Sequence, residues 1–115
     1  MKKKEKRKIF KQLRIVSSNY KITYHDEIRD KNDGLLDGHI MESAKEIKVC
    51  SKWDYQHILQ VIFHESLHGI VWEMALAKED SEERNIQLTT GLTCFMRDNV
   101  DFIVEYIKVL NRKYK

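Results

Sequence analysis

Proline is absent from this chain of 115 residues, and cysteine nearly so, with only Cys50 and Cys94. Without proline, no residue of that kind marks a helix stop or a linker, so element ends must be read from caps, turns and changes of period. Two cysteines cannot build a disulfide framework, and a reducing, cytoplasmic setting fits them best. Neither has an activating partner nearby in sequence, so both read as small core or strand residues. No apolar run approaches the roughly 20 residues that a membrane-spanning helix needs, which argues against an integral membrane protein. The basic start lacks the apolar stretch of a secretory signal. What the chain does have is a globular balance, 42% hydrophobic and 34% charged. Its length fits one domain over residues 1–115.

The net charge of +3 is unevenly spread. Up to Arg14 there are eight Lys or Arg against one acid, Glu5, whereas the remainder carries a net −4. The body is therefore mildly acidic, and the basicity belongs to an extension over residues 1–14. Such an end can touch nucleic acid or an acidic partner. No aromatic interleaving or base-reading motif accompanies it, so a solvated helix start is the better reading and nucleic acid is not the expected partner.

Ile9, Leu13 and Val16 share a helical face, which predicts a first helix near Lys4 to Val16. From Tyr20 the period changes to two: Tyr20, Ile22 and Tyr24 alternate with Lys21, Thr23 and His25, as in a half-buried strand. Asp30 to Gly34 contains Asn-Asp-Gly and reads as a turn. Two further strands are predicted over Asp37 to Glu42 and Glu46 to Ser51, completing a small, mostly antiparallel sheet. The second half is helical in pattern. Asp54, with Ser51 as the alternative, is a good N-cap for a segment reaching about Ala77, whose apolar residues cover most of its circumference, as in a central buried helix. Lys78 to Ser81 forms its polar exit. A helix from near Ser81 to Arg97 follows, and Asp98-Asn99 is placed to cap a last one.

In the middle of the buried helix stands His64-Glu65-Ser66-Leu67-His68, which is His-Glu-x-x-His. Residues four apart lie about 40° apart around a helix and about 6 Å along it, so two imidazoles can close on one cation. Zinc in catalytic sites takes three protein ligands and one water. Glu65 is offset from both rings and can reach that water without occupying a ligand position. The motif thus supplies two metal ligands, His64 and His68, and a general base, Glu65, on one rigid element. Two imidazoles and a carboxylate left unpaired in an apolar helix would cost several kcal/mol, which disfavours a purely structural role.

The third ligand must come from elsewhere, and the following helix is the natural source. Taking Leu88, Leu92, Phe95 and Met96 as its buried direction, Glu82 lies about 90° from that direction and Glu83 almost opposite it. Glu82 is therefore the expected third ligand. Glu83 is the alternative, because a helix start shifts by a residue or two.

The stretch His64 to Ile70, the acidic Glu82-Glu83, Leu88-Thr89-Thr90-Gly91-Leu92 and Arg97-Asp98-Asn99 together resemble the small gluzincin-type metallopeptidases often encoded by phages. These are similar to the catalytic part of ImmA/IrrE-type peptidases. The resemblance covers roughly Gly38 to Asn99. It implies an α+β, zincin-like minimal domain with a central His-Glu-x-x-His helix and C-terminal helices. It also implies Zn2+ held by His64, His68 and Glu82, Glu65 as the catalytic carboxylate, and a peptide or protein substrate. With little chain left for specificity, recognition is expected to lie partly in a regulatory protein partner. His39 and Tyr24 are the sheet-region candidates for stabilising the oxyanion, while His25 and His57 carry no motif. The competing readings are a zinc-stabilised interaction module and a regulatory module associated with nucleic acid through the basic N-terminus.

Overall fold

The computed structural model describes residues 7–76 and 82–113. Its elements run β1 (Gln12–Ile15), β2 (Ser18–His25), β3 (Gly38–Met41), β4 (Glu46–Cys50), α1 (Tyr55–Glu73), α2 (Glu82–Asp98) and α3 (Val100–Lys113). The fold is α+β, with a four-stranded mixed sheet and three helices. Period-two alternation explains β2, where Tyr20 and Ile22 turn into the core while Asn19 and Lys21 face out.

The predicted first helix is not formed in the described part of its span. Leu13 and Ile15 are both buried and alternate with exposed Gln12 and Arg14, so residues 12–15 are a strand. The spacing Ile9, Leu13, Val16 imitates a helical stripe, but the chain turns sharply at Val16 (φ 56°) and pairs Ile15 with Ser18. Tertiary pairing with β2 decides between the two periods. Residues 4–6 of that expected helix lie outside the described residues.

The strand order is β1-β2-β4-β3. Two of the pairings are antiparallel, as expected, but the central one, β2 with β4, is parallel. The connection after β2 carries the chain past its neighbour's place, and β3 then folds back so that β4 fills the gap. The predicted turn lies in this connection, where the Asp30 carboxylate accepts from the amides of Asn32 and Gly34.

α1 packs against β3 and β4 and contacts α2 and α3, so it is the central helix. Asp54 caps it as expected, accepting from the His57 amide at 2.8 Å. Ile58, Leu59, Ile62 and Ile70 are buried in the core. At Gly69 helix and sheet come close: a Cβ there would sit 3.0 Å from Ile15 Cδ1 and 3.1 Å from Ile40 Cδ1. Buried Ser66 satisfies its hydroxyl by donating to the Ile62 carbonyl at 2.7 Å.

α1 ends at Glu73, a turn before the expected Ala77. The Ala75 amide donates to Trp72 O and the Leu76 amide to Val71 O, with Ala75 at φ 50°. These are the two hydrogen bonds of a Schellman stop, here with alanine at the position glycine usually takes and with Leu76 buried beyond it. Ala77 and the expected exit, Lys78 to Ser81, lie outside the described residues.

Asn99 joins α2 to α3, but its side chain does not cap the start of α3. Its amide donates to Arg14 O (2.7 Å) and Phe95 O (2.8 Å), and its oxygen accepts from Arg14 N (2.9 Å). The expected capping role is thereby replaced by a clamp on the outer edge of β1.

Candidate metal centre

The apolar residues of α1 fix its rotation, and that rotation decides which side chains face outward. Ile62, Ser66 and Ile70 point into the core, so His64 and His68 emerge together on the opposite, exposed side. Their Nε2 atoms are 3.3 Å apart. Two nitrogens bound at 2.0–2.1 Å to one tetrahedral ion stand about 3.3–3.4 Å apart, so the pair already has the spacing of ligands to a shared cation. A ligand atom of Glu65 lies within 4.8 Å of both, and among the described residues these three form the group able to hold a metal. Donor chemistry suits a borderline cation, with two neutral nitrogens and a hard carboxylate available.

Glu65 differs from the histidines in burial, being only 7% exposed. It stands where α1 meets the start of β3. Gly38 lets the two elements touch, since a Cβ there would fall on Val61 Cγ1 and come 3.5 Å from Glu65 Cγ. No buried side-chain oxygen or nitrogen among the described residues is left without a partner, so Glu65 is not a stranded core charge. Instead it borders a cavity of about 310 Å³, together with Asp37, Gly38, His57, Gln60, Val61 and His64.

Sequence reasoning missed two of these walls. His57 sits two turns before His64 on the same helical stripe, and its Nε2 is 3.2 Å from Asp37 Oδ2. The signal was present in the spacing of seven, but only the fold shows that Asp37 meets it. A tryptophan flanks each end of this stripe: Trp53 lies 4.7 Å from the His57 ring, and Trp72 stacks 6.0 Å from the His68 ring.

The two sheet residues considered for the oxyanion do not line the cavity. His39 alternates away from Gly38 and Ile40, which face α1, and Tyr24 commits its hydroxyl to the Phe10 carbonyl at 2.7 Å. The Tyr24 hydroxyl has a raised pKa, chiefly because of burial. Gln60 does line the cavity and offers a neutral amide donor there. Cys50 is buried and donates weakly to Asp26 O, as a strand residue would, and Cys94 is half-buried.

Glu82 and Glu83 occupy the first turn of α2, and both are exposed. Neither belongs to the His64, Glu65, His68 group among the described residues. The buried direction of α2 also differs from expectation. Met96 is 50% exposed, whereas Gly91 is buried together with Phe95. On this observed face Glu83 stands about 100° from the packed direction and Glu82 about 160°, so helical phase no longer favours Glu82 over its neighbour.

The described helices include none long and apolar enough to cross a membrane. Comparison with protein-family models, with curated proteins and with solved structures finds no match.

Proposed function

We propose that this chain is a zinc-dependent metallopeptidase of zincin-like architecture. The observation that carries this reading is the pair of exposed imidazoles, Nε2 to Nε2 3.3 Å, beside a buried carboxylate that opens onto a cavity. A structural zinc site surrounds its ion with four protein ligands, whereas this face is open, as a site that must admit substrate requires.

His64 and His68 would hold the ion, and a carboxylate from the first turn of α2, Glu82 or Glu83, would complete the set. When bound, zinc supplies a Lewis acid for a carbonyl and brings water toward ionisation near neutral pH. Glu65, buried on the side of α1 that faces the start of β3, takes the proton from the attacking water and returns it to the departing amine. The outer edge of β3 has no strand paired to it among the described residues. An extended peptide can hydrogen-bond there beside Glu65, which positions its carbonyl through main-chain contacts.

The deciding experiment is metal analysis with a peptide-hydrolysis assay on the full chain and two variants. Glu65→Gln should keep about one zinc per chain and lose hydrolysis, while His64→Ala should lose both. Full activity in Glu65→Gln would overturn the assigned chemistry.

A further inference from the structure

Three connections of this fold converge at one end of the sheet. They are the exit from β2 (Asp26, Ile28), the approach to β3 (Leu35, Leu36, Asp37) and the link from β4 to α1 (Lys52, Trp53). Together with Cys50 they enclose a second cavity of about 220 Å³. That is below the roughly 300 Å³ at which small-molecule sites begin, and suits one side chain better than a whole cofactor. Ile28 and Cys50 are buried at its base, while Leu35 and Trp53 remain 65% and 45% exposed. Large apolar groups left in water beside a concave surface mark a place where apolar surface is to be covered.

This cleft adjoins the metal-facing cavity. Asp37 lines both, and the Trp53 ring rests against His57, a wall of the other. β3 begins at the next residue, Gly38, so a peptide paired along its outer edge runs past Asp37 and over the cleft. Each residue of an extended chain advances about 3.3 Å and alternate side chains share a face, so a residue near the bond held at Glu65 can turn its side chain in. Charge narrows the choice further. Asp26, Glu27 and Asp37 line the cleft against the single Lys52, with Glu27 held by Arg29 and Asp37 by His57. An acidic side chain would meet like charge there.

We infer that this cleft is a specificity subsite, taking one large aliphatic or aromatic side chain of the peptide whose main chain lies along β3. The inference rests on the peptidase reading above, but its test does not. The probes are acetyl-Gly-Gly-Phe-Gly-Gly-amide and the same peptide with Asp in place of Phe, titrated into the full-length Glu65→Gln chain. The indole N–H resonances are followed, with Trp53→Phe used to tell Trp53 from Trp72. The Phe peptide should shift the Trp53 signal and bind about tenfold more tightly than the Asp peptide. Leu35→Asp, at an exposed position, should erase that difference without changing zinc content.

Equal binding of the two peptides, or a response confined to Trp72, would overturn the subsite. So would a Trp53 signal that moves on diluting the free chain, which would make the cleft a contact between copies. Hydrolysis by the zinc-loaded chain at equal rates for both peptides sinks the subsite alone. A Trp53 response to the Phe peptide with no hydrolysis sinks the peptidase reading and leaves the apolar side-chain site standing.

Discussion

The sheet has two outer edges, and the molecule treats them in opposite ways. At β1, the Asn99 side chain bonds both the amide and the carbonyl of Arg14, imitating the partner strand that is missing. At β3, no described strand covers the outer edge, and glycine at position 38 brings α1 with Glu65 directly alongside. Unpaired edges invite association with other chains, and natural folds usually blunt them. Here one edge is closed by an amide, and the other has no described partner strand and begins beside the cavity that His64 and Glu65 line.

The largest effect should come from the chemistry at the open edge. Glu65→Gln is expected to reduce peptide hydrolysis by at least about 10²-fold with zinc retained, measured by initial rates and metal content. Next, a side chain at position 38 should pry helix from strand. Gly38→Val is expected to weaken peptide capture at β3 and destabilise the fold by about 1–3 kcal/mol, read from urea denaturation. Breaking the closed edge sharpens the contrast: Asn99→Leu should cost about 1–3 kcal/mol and promote self-association, yet leave zinc stoichiometry unchanged. If Asn99→Leu instead abolished zinc binding, the two edges would not be independent.

A smaller effect concerns Glu73, which accepts from Tyr20 (2.9 Å) and from Lys45 (2.7 Å) near the end of α1. Burial raises the pKa of its carboxyl, but the bonds from Lys45 and Tyr20 outweigh this and hold it below the ordinary value. The Tyr20 hydroxyl is pushed up to about 12 by burial and by Glu73. A depressed carboxyl contributes stability above its unfolded pKa and loses it as pH falls through the folded one. Stability should therefore decline on acidification below the ordinary carboxylate range of about 4–4.5, and Glu73→Gln should flatten that decline in pH-dependent denaturation. Smallest of all, Ala75→Gly should stabilise the chain by about 1 kcal/mol, since alanine at φ 50° bears a left-handed strain that glycine does not.

Much of this architecture could be read locally. Strands β2, β3 and β4 follow from alternation, and α1 from its Asp54 cap and apolar content, because those signals lie within a few residues of one another. His64, Glu65 and His68 were legible for the same reason: helix geometry alone brings them together. Strand β1 was misread because Ile9, Leu13 and Val16 satisfy one period while Leu13 and Ile15 satisfy the other, and pairing with β2 chose. The end of α1 was hidden because Ala75 adopts a conformation that the sequence would normally announce with glycine. The parallel β2–β4 pairing, the clamp at Asn99 and the meeting of Asp37 with His57 join distant residues, so no local pattern encodes them. The preference for Glu82 over Glu83 depended on Met96 being buried, and its exposure removes that preference.

The Asn99 clamp spans 85 positions of sequence. During synthesis β1 therefore stays unfinished on its outer side until Asn99, 85 positions after Arg14, has been made. Final docking of β1 is tied to completion of the α2–α3 corner, so a chain truncated before Asn99 carries an unprotected β1 edge, ready to pair with a neighbouring nascent chain.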